Sequence, residues 1–391
     1  MLAGMEAVMN HRHMDWPFFN DFHRTFARDF QQWTADELSQ YEEREGGDGE
    51  TAREIFQRLG EGGWLEYSLP KDGKHDLRAV CLMREILGYS SAMADVALSD
   101  PVISIMPVAL YGSGELQGEY LPAYARGDLI PAFALSEPGA GSDAAALQTK
   151  AIKDGDHFII NGRKTWTSNA GLADAYAVLA RVGEGGGAQG ITAFWVDGDA
   201  PGIVLEERIQ VQSPHTVGTL RFDDVRVPAD RMLGRQGQGF RIAMAALEIF
   251  RPTVGAAALG MARRAADEAL TRSTKRQAFS KTICEHQLIQ DKLADMALKL
   301  DAAALMVYRA AWLHDAGGES ITREAAMAKL YATEAAQEVV DQAQQIFGGL
   351  GVAQGSVVER LYRHVRGYRI FDGTSEIQKL IIAGDLLKEH G

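Results

Sequence analysis

Apolar residues recur at helical spacing through about the first 130 positions of the chain. Ile55 and Leu59 share one face of a candidate helix over residues 53–65, and Ala79 to Leu87 and Leu116 to Tyr124 repeat the pattern. Glycine and proline residues separate these segments. The pattern predicts a helical N-terminal region.

The spacing changes near Ile130, where apolar residues begin to alternate or to form short runs. His157 to Ile160 lies between Asp154-Gly155 and Asn161-Gly162, dipeptides typical of hairpin turns, so we predict a strand with a turn at each end. Further strands are predicted at Ala175 to Ala180, Ile191 to Val196 and Thr219 to Val227. The glycine-rich residues 183–190 lack the strand and helix of a dinucleotide-binding motif and are interpreted as a surface connection.

Helical periodicity returns after Gly239 and lasts to the end of the chain. One apolar stripe, at steps of three or four residues, is typical of the core of a helix bundle. It consists of Ile289, Leu293, Met296, Leu300, Ala304, Val307 and Ala311. The sequence therefore predicts an α+β protein with a helical domain over residues 1–131, a β domain over 132–238 and a helical domain over 239–391.

Composition narrows the possible partners and compartment. A net charge of −13 and a pI near 5.3 count against nucleic acid or an anionic membrane, because binding phosphates needs a local excess of Lys and Arg. No apolar run reaches the roughly 18 residues of a membrane span, and the N-terminus lacks the apolar core of a signal peptide. Cys81 and Cys284 provide neither a disulfide framework nor a metal site. We expect a cytoplasmic protein without a metal. His11 and His13 could bind a metal, but we interpret them as part of an untethered terminus.

Two segments near the β region carry candidate chemistry. In FALSEPGAGSD (133–143), small residues would let backbone N–H groups come close to a ligand oxygen, although a plain glycine-rich turn has the same composition. In KTWTSNAG (164–171), Trp166 offers a flat face for stacking and Ser168 a nearby hydroxyl. A core tryptophan with a turn-capping serine is the alternative.

Two further segments lie in the C-terminal region. QQIFGGLG (344–351) follows a long helix, and its default role is a helix C-cap. In YRIFDGTSEIQK (368–379), Asp372 stands between an apolar run and a Gly-Thr-Ser turn that opens a helix. The alternative role for Asp372 or Thr374 is a helix N-cap.

Taken together and in this order, the segments resemble the acyl-CoA dehydrogenase family over essentially the whole chain from about Trp16. FALSEPGAGSD and FDGTSEIQKL are the most specific parts. The resemblance implies an N-terminal α-helical domain, a β-barrel-like middle sheet and a C-terminal four-helix bundle. It also implies FAD as cofactor, electron-transfer flavoprotein as acceptor, and a homotetramer built as a dimer of dimers.

The resemblance places the flavin between the β domain and the C-terminal helices. The contacts that it implies from the β domain are Phe133, Leu135, Ser136, Gly141, Ser142, Trp166 and Ser168. The ADP half would lie between two subunits, held by Arg276, Phe279 and Gln287 of one and Gln345, Gly348 and Gly349 of the other. Thr374 and Glu376 would lie at the flavin phosphates or the adenosine.

The implied reaction is the oxidation of an acyl-CoA thioester between its α- and β-carbons. Asp372 would remove the α-proton while a hydride leaves the β-carbon for flavin N5. Hydrogen bonds to the thioester carbonyl would supply oxyanion-type stabilisation, and exclusion of water would make the carboxylate more basic. The implied substrate-binding residues are Ser142, Glu248, Phe250, Arg251 and Gly373.

Asp372 is also where the chain departs from the family, whose usual base is glutamate. Some relatives place a glutamate just before the arginine, but Phe250 occupies that position here. Aspartate is shorter by one methylene, and a misplacement of about 1 Å can cost on the order of 10²-fold in rate. We therefore hypothesise a bulky, branched or alicyclic acyl group that lies nearer the base. Asp95 or Asp100 is either a second acid–base group or a solvated or capping residue, and Gly384 replaces a common arginine with no explanation from the sequence.

Other functions remain open. A reductase would run the same chemistry backwards, and a biosynthetic relative would act on a carrier-protein thioester. A nitroalkane-oxidase-like enzyme also uses aspartate, but such relatives usually lack a GTSEIQ-like turn. The acidic charge disfavours a non-catalytic, nucleic-acid-associated member of the family.

Overall fold

A computed structural model describes residues 9, 12–42, 49–71, 74–183, 185–318 and 320–390. The helices are α1 (Asp21–Leu38), α2 (Gly49–Glu61), α3 (Leu77–Ser90), α4 (Ala92–Tyr111), α5 (Gly114–Ala125), α6 (Gly239–Lys275), α7 (Gln287–Asp315), α8 (Thr322–Phe347), α9 (Val357–Arg366) and α10 (Ser375–His390). The strands are β1 (Pro131–Ala134), β2 (Lys150–Asp154), β3 (His157–Ser168), β4 (Ala175–Val182), β5 (Ile191–Asp197), β6 (Ile203–Ile209), β7 (Val217–Pro228), β8 (Met232–Leu233), β9 (Gln277–Ala278) and β10 (Lys281–Thr282). The order helices, strands, helices confirms the predicted α+β class.

The chain forms two compact units, each discontinuous in sequence. The first unit comprises residues 1–44, 76–95 and 251–391, and the second comprises 45–75 and 96–250. The unit boundaries therefore fall inside α4, after Asp95, and inside α6, after Phe250. The three-domain division at residues 131/132 and 238/239 stays a prediction.

The first unit has a helical core in which α7 and α8 pack together and α8 also contacts α9 and α10. The predicted apolar stripe of α7 faces this core, since Met296, Ala304, Val307 and Ala311 are buried. Helices α3 and α6 approach closely: a Cβ on Gly260 would lie 2.0 Å from the carbonyl oxygen of Glu85. Only glycine allows that approach, so this position fixes how the two helices pack.

The second unit contains an eight-stranded sheet with the order β6-β7-β3-β2-β4-β5-β8, and β1 pairs with β4 in parallel. Strands β2 and β3 form the hairpin predicted at Asp154-Gly155. The core of the sheet includes Phe158, Ile160, Val178 and Phe194. Strand β6 at the edge is largely exposed and carries charged residues, which discourage pairing with another edge.

The second predicted turn, at Asn161-Gly162, is wrong. Strand β3 continues through these residues to Ser168 and pairs with β7, with a register shift between Ile160 and Gly162. Gly162 has φ 156°, and a Cβ there would lie 2.4 Å from Thr149 Oγ1. The glycine therefore serves a β-bulge and a close approach, which a dipeptide signal cannot distinguish from a turn.

The interpretation of the N-terminal histidines also needs correction. His11 lies outside the described residues, but His13 is buried and its ring stacks on Tyr308 at a centroid distance of 5.4 Å. The stacking partner belongs to α7, so contacts remote in sequence hold this residue in place. The N-terminal sequence alone does not show such contacts, because the partner residue lies far away along the chain.

Helices α4 and α6 are long and apolar enough to cross a membrane, judged by length and composition among the described residues. In each, 78% of the most apolar window is buried inside the protein, as in a core helix. Both helices also contain buried charged residues, Asp95 in α4 and Arg251 in α6. They are therefore weak evidence for a membrane.

Candidate active site

The turn that carries Asp372 lies between a 3-10 turn at Gly367–Arg369 and the start of α10. Asp372 has φ 55° and Gly373 has φ 91°, so two successive residues are left-handed. That conformation costs a non-glycine residue about 1–2 kcal/mol, and Asp tolerates it better than most. Asp372 is half-buried. Strain of this kind persists only where surrounding contacts enforce it, and it is a reason to look for function.

Two buried side chains enforce the turn. Lys329 Nζ donates a hydrogen bond to the carbonyl oxygen of Gly373 at 2.9 Å. Gln378 Nε2 donates to the same oxygen at 2.8 Å and to that of Asp372 at 3.3 Å. Thr374 Oγ1 accepts from the backbone N–H of Ile377 at 3.4 Å, which confirms the N-cap alternative for Thr374. Its implied cofactor contact stays a prediction.

A buried ion pair holds the segment just before the turn. Arg84 binds both oxygens of Asp95, with Nε–Oδ1 2.9 Å and Nη2–Oδ2 2.8 Å. Tyr368 donates its hydroxyl to Asp95 Oδ2 at 2.5 Å, and its ring packs on Phe371 at 4.8 Å. Burial lowers the pKa of Arg84, but the Asp95 carboxylate more than offsets it and leaves that pKa above its usual range. Both oxygens of Asp95 are engaged, which favours a structural role over a second acid–base role.

Lys329 is a positive charge close to Asp372, and Arg251 is a second cation close to Lys329. Both are buried, and their charges interact: Asp372 raises the pKa of Lys329 while Arg251 lowers it. Burial has the largest effect and brings the pKa of Lys329 to about 8. Of the predicted residues in the first unit, Arg251, Asp372, Gly373 and Glu376 thus lie around one buried lysine.

In the second unit, hydrogen bonds bring together the first two candidate segments. Lys164 Nζ donates to Leu135 O at 3.0 Å and to Glu137 Oε1 at 2.8 Å, and the backbone N–H of Thr165 donates to Ser136 O at 2.9 Å. Glu137 Oε2 and Oε1 also accept from the backbone N–H groups of residues 148 and 149, at 2.6 and 2.9 Å. The loop after β1 is therefore clamped to β3.

Open space surrounds the small residues of this loop. A Cβ on Gly139 or Gly141 would meet nothing within 4 Å. A pocket of about 480 Å³ beside the loop is lined by Glu137, Pro138, Gly139, Ala146, Gln148, Thr149, Gly162 and Arg163. Gly141 and Ser142 are exposed, and Phe133, Leu135 and Ser136 are half-buried. Backbone N–H groups here can approach a ligand, as the sequence predicts.

Trp166 is exposed although most of β3 is not. Its side chain is 60% exposed, which excludes the core-tryptophan alternative. Its backbone has φ 56° and Asn169 has φ 54°, and the pairing with β7 shifts register between Lys164 and Thr167. A bulge that turns a large aromatic side chain outward is expected at a ligand site.

Ser168 contacts a pair of titratable residues. Its Oγ lies 2.9 Å from His215 Nε2, and Asp100 Oδ2 lies 2.7 Å from the same nitrogen. In a hydrolase triad, serine and carboxylate bind opposite nitrogens of the imidazole. This arrangement therefore does not match a hydrolase triad. Asp100 has a histidine partner, so the solvated-residue alternative is wrong for it.

The remaining predicted residues differ in exposure. Exposed ones in the first unit are Arg276, Phe279, Gln287, Gln345, Gly348, Gly349 and Glu376. Phe279 is 91% exposed in the β9–β10 hairpin and has φ 52°. Gly348 has φ 62° and its N–H donates to Gln345 O, which confirms the helix C-cap for this segment. In α6, Phe250 is buried and Glu248 half-buried.

Among the described residues, His23, Asp76 and Asp315 offer ligand atoms within 4.8 Å of one another. Each already has protein partners. His23 Nε2 lies 3.1 Å from Asp76 Oδ1, and Asp315 accepts from the backbone N–H of Leu77 at 2.8 Å and from Arg78 Nε at 2.6 Å. This cluster secures the start of α3.

Family comparisons cover nearly the whole chain. Models of the acyl-CoA dehydrogenase N-terminal, middle and C-terminal domains match residues 20–128, 132–225 and 237–387. The chain belongs to the acyl-CoA dehydrogenase family.

Several curated relatives in the family are near 40% identical. The chain is 39% identical over 79% of its length to cyclohexane-1-carbonyl-CoA dehydrogenase of Geobacter metallireducens, covering 82% of that protein. It is 38% identical over 95% of its length to 3-(aryl)acrylate reductase of Clostridium sporogenes, covering 100% of it. It is 37% identical over 95% of its length to the CarC subunit of the caffeyl-CoA reductase–Etf complex of Acetobacterium woodii, covering 98% of it.

Solved structures of the family superimpose closely. Butyryl-CoA dehydrogenase of Megasphaera elsdenii matches 96% of this chain and 100% of its own with a TM-score of 0.87 at 33% identity. An acyl-CoA dehydrogenase of Bacillus anthracis, solved in complex with FAD, matches 95% of this chain and 68% of its own with a TM-score of 0.87 at 30% identity. The family consists of FAD flavoproteins, oxidoreductases that act on CH–CH groups.

Sequence reasoning within the family missed four polar residues that support the predicted ones. They are Arg84, Lys164, His215 and Lys329. Lys329 interrupts an alanine-rich helical face, and Lys164 falls among buried positions of a strand, so a charged residue at an apolar position was the available signal. The partners of Arg84 and His215 are remote in sequence, and nothing local indicates them.

Proposed function

We propose that this chain is an FAD-dependent enzyme that removes hydrogen across the α,β-bond of an acyl-CoA thioester, with Asp372 as the base. The observation that carries the proposal is the left-handed turn at Asp372 and Gly373, held by buried side chains next to buried cations. A base must be held in one geometry, and a fixed turn on the end of a helix supplies that.

The residues around Trp166 fit a flavin. The exposed indole offers a stacking face, open space lies beyond Gly141, and the hydroxyls of Ser136 and Ser142 can donate or accept, while that of Ser168 also contacts His215. Bound FAD supplies the hydride acceptor. The chain itself positions the loop through Lys164, which fixes Leu135 and Glu137 against β3.

Asp372 takes the α-proton of the substrate onto its carboxylate. Lys329 and Arg84 favour the ionised carboxylate in the resting enzyme, because opposite charges nearby stabilise the charged form. Phe371 and Tyr368 provide apolar surface at the same turn. The backbone N–H at the base is the chain's own donor for the thioester oxygen.

The substrate that we propose is a bulky, branched or alicyclic acyl-CoA. Asp372 reaches less far than glutamate, so a reacting carbon must lie nearer the turn. The relative that acts on cyclohexane-1-carbonyl-CoA, at 39% identity, supports this class. Residues 248–251 of α6 are the proposed acyl-channel residues.

Flavin bleaching tests the base. The purified protein should be yellow, and an accepted acyl-CoA should bleach it under anaerobic conditions. Asp372→Asn keeps the shape of the side chain but removes the base, so we expect a yellow protein whose bleaching is slower by at least about 10²-fold. Bleaching at the parent rate would show that Asp372 is not the base.

A panel of acyl-CoAs tests the substrate class. Cyclohexane-carbonyl and branched thioesters should reduce the flavin faster than straight chains of four to eight carbons. In Asp372→Glu the longer side chain should shift the preference towards straight chains. A parent protein that prefers straight chains contradicts the bulky-substrate proposal but leaves the base assignment intact.

The reverse direction is the second candidate, because two of the similar proteins are reductases. In that direction the protonated Asp372 returns a proton to the α-carbon. Starting from enzyme with reduced flavin, reoxidation by an enoyl-CoA or arylacryloyl-CoA would favour this assignment. A carrier-protein thioester remains an alternative carrier for either direction.

We also propose electron-transfer flavoprotein as acceptor and a homotetramer as the assembly. The relative named as part of an Etf complex supports the first. Exposed leucines along α7 support the second, because contiguous exposed apolar surface on a monomer commonly marks an interface.

A further inference from the structure

Lys329 is a buried lysine on the core face of α8. Its exposure is 0%, and its helical neighbours Ala325, Ala326 and Ala332 are buried as well. An ammonium group taken out of water is costly unless it is paired, and an apolar residue would fill the same space without that cost. The lysine therefore has a partner that an apolar side chain could not satisfy.

That partner is the turn at the proposed base. Lys329 Nζ donates to Gly373 O at 2.9 Å, and Gln378, which is also fully buried, donates to the same oxygen. A carbonyl has two lone pairs, so both bonds form together. The two side chains come from α8 and α10 and hold the left-handed residues between them.

Four charged groups act on Lys329, and the buried Arg84 of α3 also acts on Asp372. Asp372 precedes α10, and Glu376 lies in its first turn; Arg251 comes from α6 and Glu334 from α8 itself. Burial lowers the pKa of Lys329 to about 8, Asp372 acts in the opposite sense, and Arg251 lowers it further. At neutral pH the group is therefore mostly a cation beside the Asp372 carboxylate.

We propose that Lys329 is a positioning residue for the reaction, which fixes the Asp372 turn through the Gly373 carbonyl and provides, together with Arg84, the positive charge that keeps the carboxylate ionised. The inference rests on the proposed function, because Lys329 is given the role of positioning the proposed base, Asp372. It adds Lys329, on α8, to the residues that serve the reaction. It also assigns two separate effects to Lys329: a hydrogen bond that holds the turn and a charge that acts on the carboxylate.

Substitutions of Lys329 separate these effects. Lys329→Gln keeps a donor but loses the charge, Lys329→Arg keeps the charge, and Lys329→Met loses both. Thr333→Val is the matched control, since Thr333 is buried one turn further along α8 and its hydroxyl bonds to Leu330 O of the same helix. Anaerobic flavin reduction by a saturating acyl-CoA is followed from pH 5 to 9 for each variant.

We expect Lys329→Met to remain yellow and to reduce its flavin on the order of 10²-fold more slowly, because the turn is no longer fixed. In Lys329→Met and Lys329→Gln the acidic limb of the pH–rate profile should move up by about one pH unit, since the carboxylate loses a cationic neighbour. Lys329→Arg should keep the position of that limb, and Thr333→Val should match the parent.

A readout without flavin chemistry checks the buried cation directly. The pKa of Lys329 is lowered from its ordinary 10.5 to about 8, so the unfolded chain binds more protons between these pH values. Stability should therefore rise with pH across that window in the parent, and the rise should be smaller in Lys329→Met, where the buried Lys164, whose pKa is also lowered to about 8, still contributes to it. Thermal midpoints of parent and Lys329→Met from pH 7 to 10 measure it.

Parent-like rates and an unshifted acidic limb in both Lys329→Met and Lys329→Gln would overturn the proposal. If Lys329→Met does not fold, Lys329→Gln and Lys329→Arg decide by the position of the limb. An inactive Asp372→Asn with unaffected Lys329 variants refutes only the role of Lys329. An active Asp372→Asn instead refutes the proposed function.

Discussion

Gly373 occupies a backbone conformation that other residues adopt only at a cost. Its φ is 91°, and an added Cβ would lie 2.7 Å from Gln378 Nε2, one of the two donors to its carbonyl. Gly373→Ala should destabilise the protein by about 1–3 kcal/mol and displace the Asp372 carboxylate. We expect a lower thermal midpoint together with flavin reduction slower by at least about tenfold.

Gly384 in the same region provides the control. It lies inside α10, where an added Cβ meets nothing within 4 Å. Gly384→Ala should raise stability by roughly 0.5–1 kcal/mol, because alanine is the better helix former, and should leave the rate unchanged. If both alanine variants behave alike in stability and rate, the strained turn is not what holds the base.

At the residue scale, the sequence points to candidate site residues but not to the side chains that hold them. Asp372 and Trp166 stand in motifs that can be recognised from their neighbours in the chain. The residues that hold them come from elsewhere: Lys329 precedes Asp372 by more than forty positions, and Arg84 binds Asp95 on another helix. Tertiary partners of this kind follow from packing, which a local pattern does not encode.

Strand β3 gives a prediction at the scale of one element. Lys164 on β3 is fully buried and pairs with Glu137, and burial brings its pKa to about 8 against the opposing effect of Glu137. Lys164→Met leaves the Glu137 carboxylate buried without its cation, which typically costs about 3–5 kcal/mol. We expect a markedly lower thermal midpoint and a lower ratio of flavin to protein after purification.

Two further variants show whether the pair or the lysine alone is responsible. Lys164→Met combined with Glu137→Gln removes both charges, so stability should recover in part, whereas flavin content should stay low because Leu135 O has lost its donor. Lys150→Met is the surface control on the neighbouring strand β2, where the lysine is exposed, and should change stability by less than about 0.5 kcal/mol. Normal flavin content in Lys164→Met would show that the hydrogen bonds from Lys164 to Leu135 and Glu137 are not needed for flavin binding.

At the element scale, hydrophobic pattern and turn residues predict several helices and the strands β3, β4, β5 and β7, and the failure at Asn161-Gly162 has a physical cause. The 3.6-residue period locates α3, α5 and α7 closely, and short apolar runs locate β4 and β5, which are buried on both faces. Asn161-Gly162 fails as a turn because β7 pairs with both halves of β3 and the glycine only relieves a bulge. Such pairing is non-local, so the dipeptide alone cannot reveal it.

At the scale of the whole molecule, exposed leucines along α7 are unusual for a helix that also packs in a core. Leu288, Leu298, Leu305 and Trp312 are 78%, 68%, 45% and 39% exposed. Residues 298, 305 and 312 are seven positions apart, so they project from one side of the helix, away from the buried stripe. Surface of this kind suits burial against a second copy of the chain.

The double substitution Leu298→Glu with Leu305→Glu tests whether this face assembles the protein. The parent should elute as a tetramer in light-scattering chromatography, and the variant as a smaller species, because burying two carboxylates in an apolar interface is strongly unfavourable. If FAD is held between subunits, the variant should also lose flavin on dilution, since the exposed Phe279 and Arg276 would have no partner copy to complete the site. Ile152→Glu, which places a charge at an equally exposed apolar position on β2, should change neither property. A parent that is monomeric and yellow would contradict both the assembly and the shared site, and a variant that dissociates while retaining its flavin would separate them.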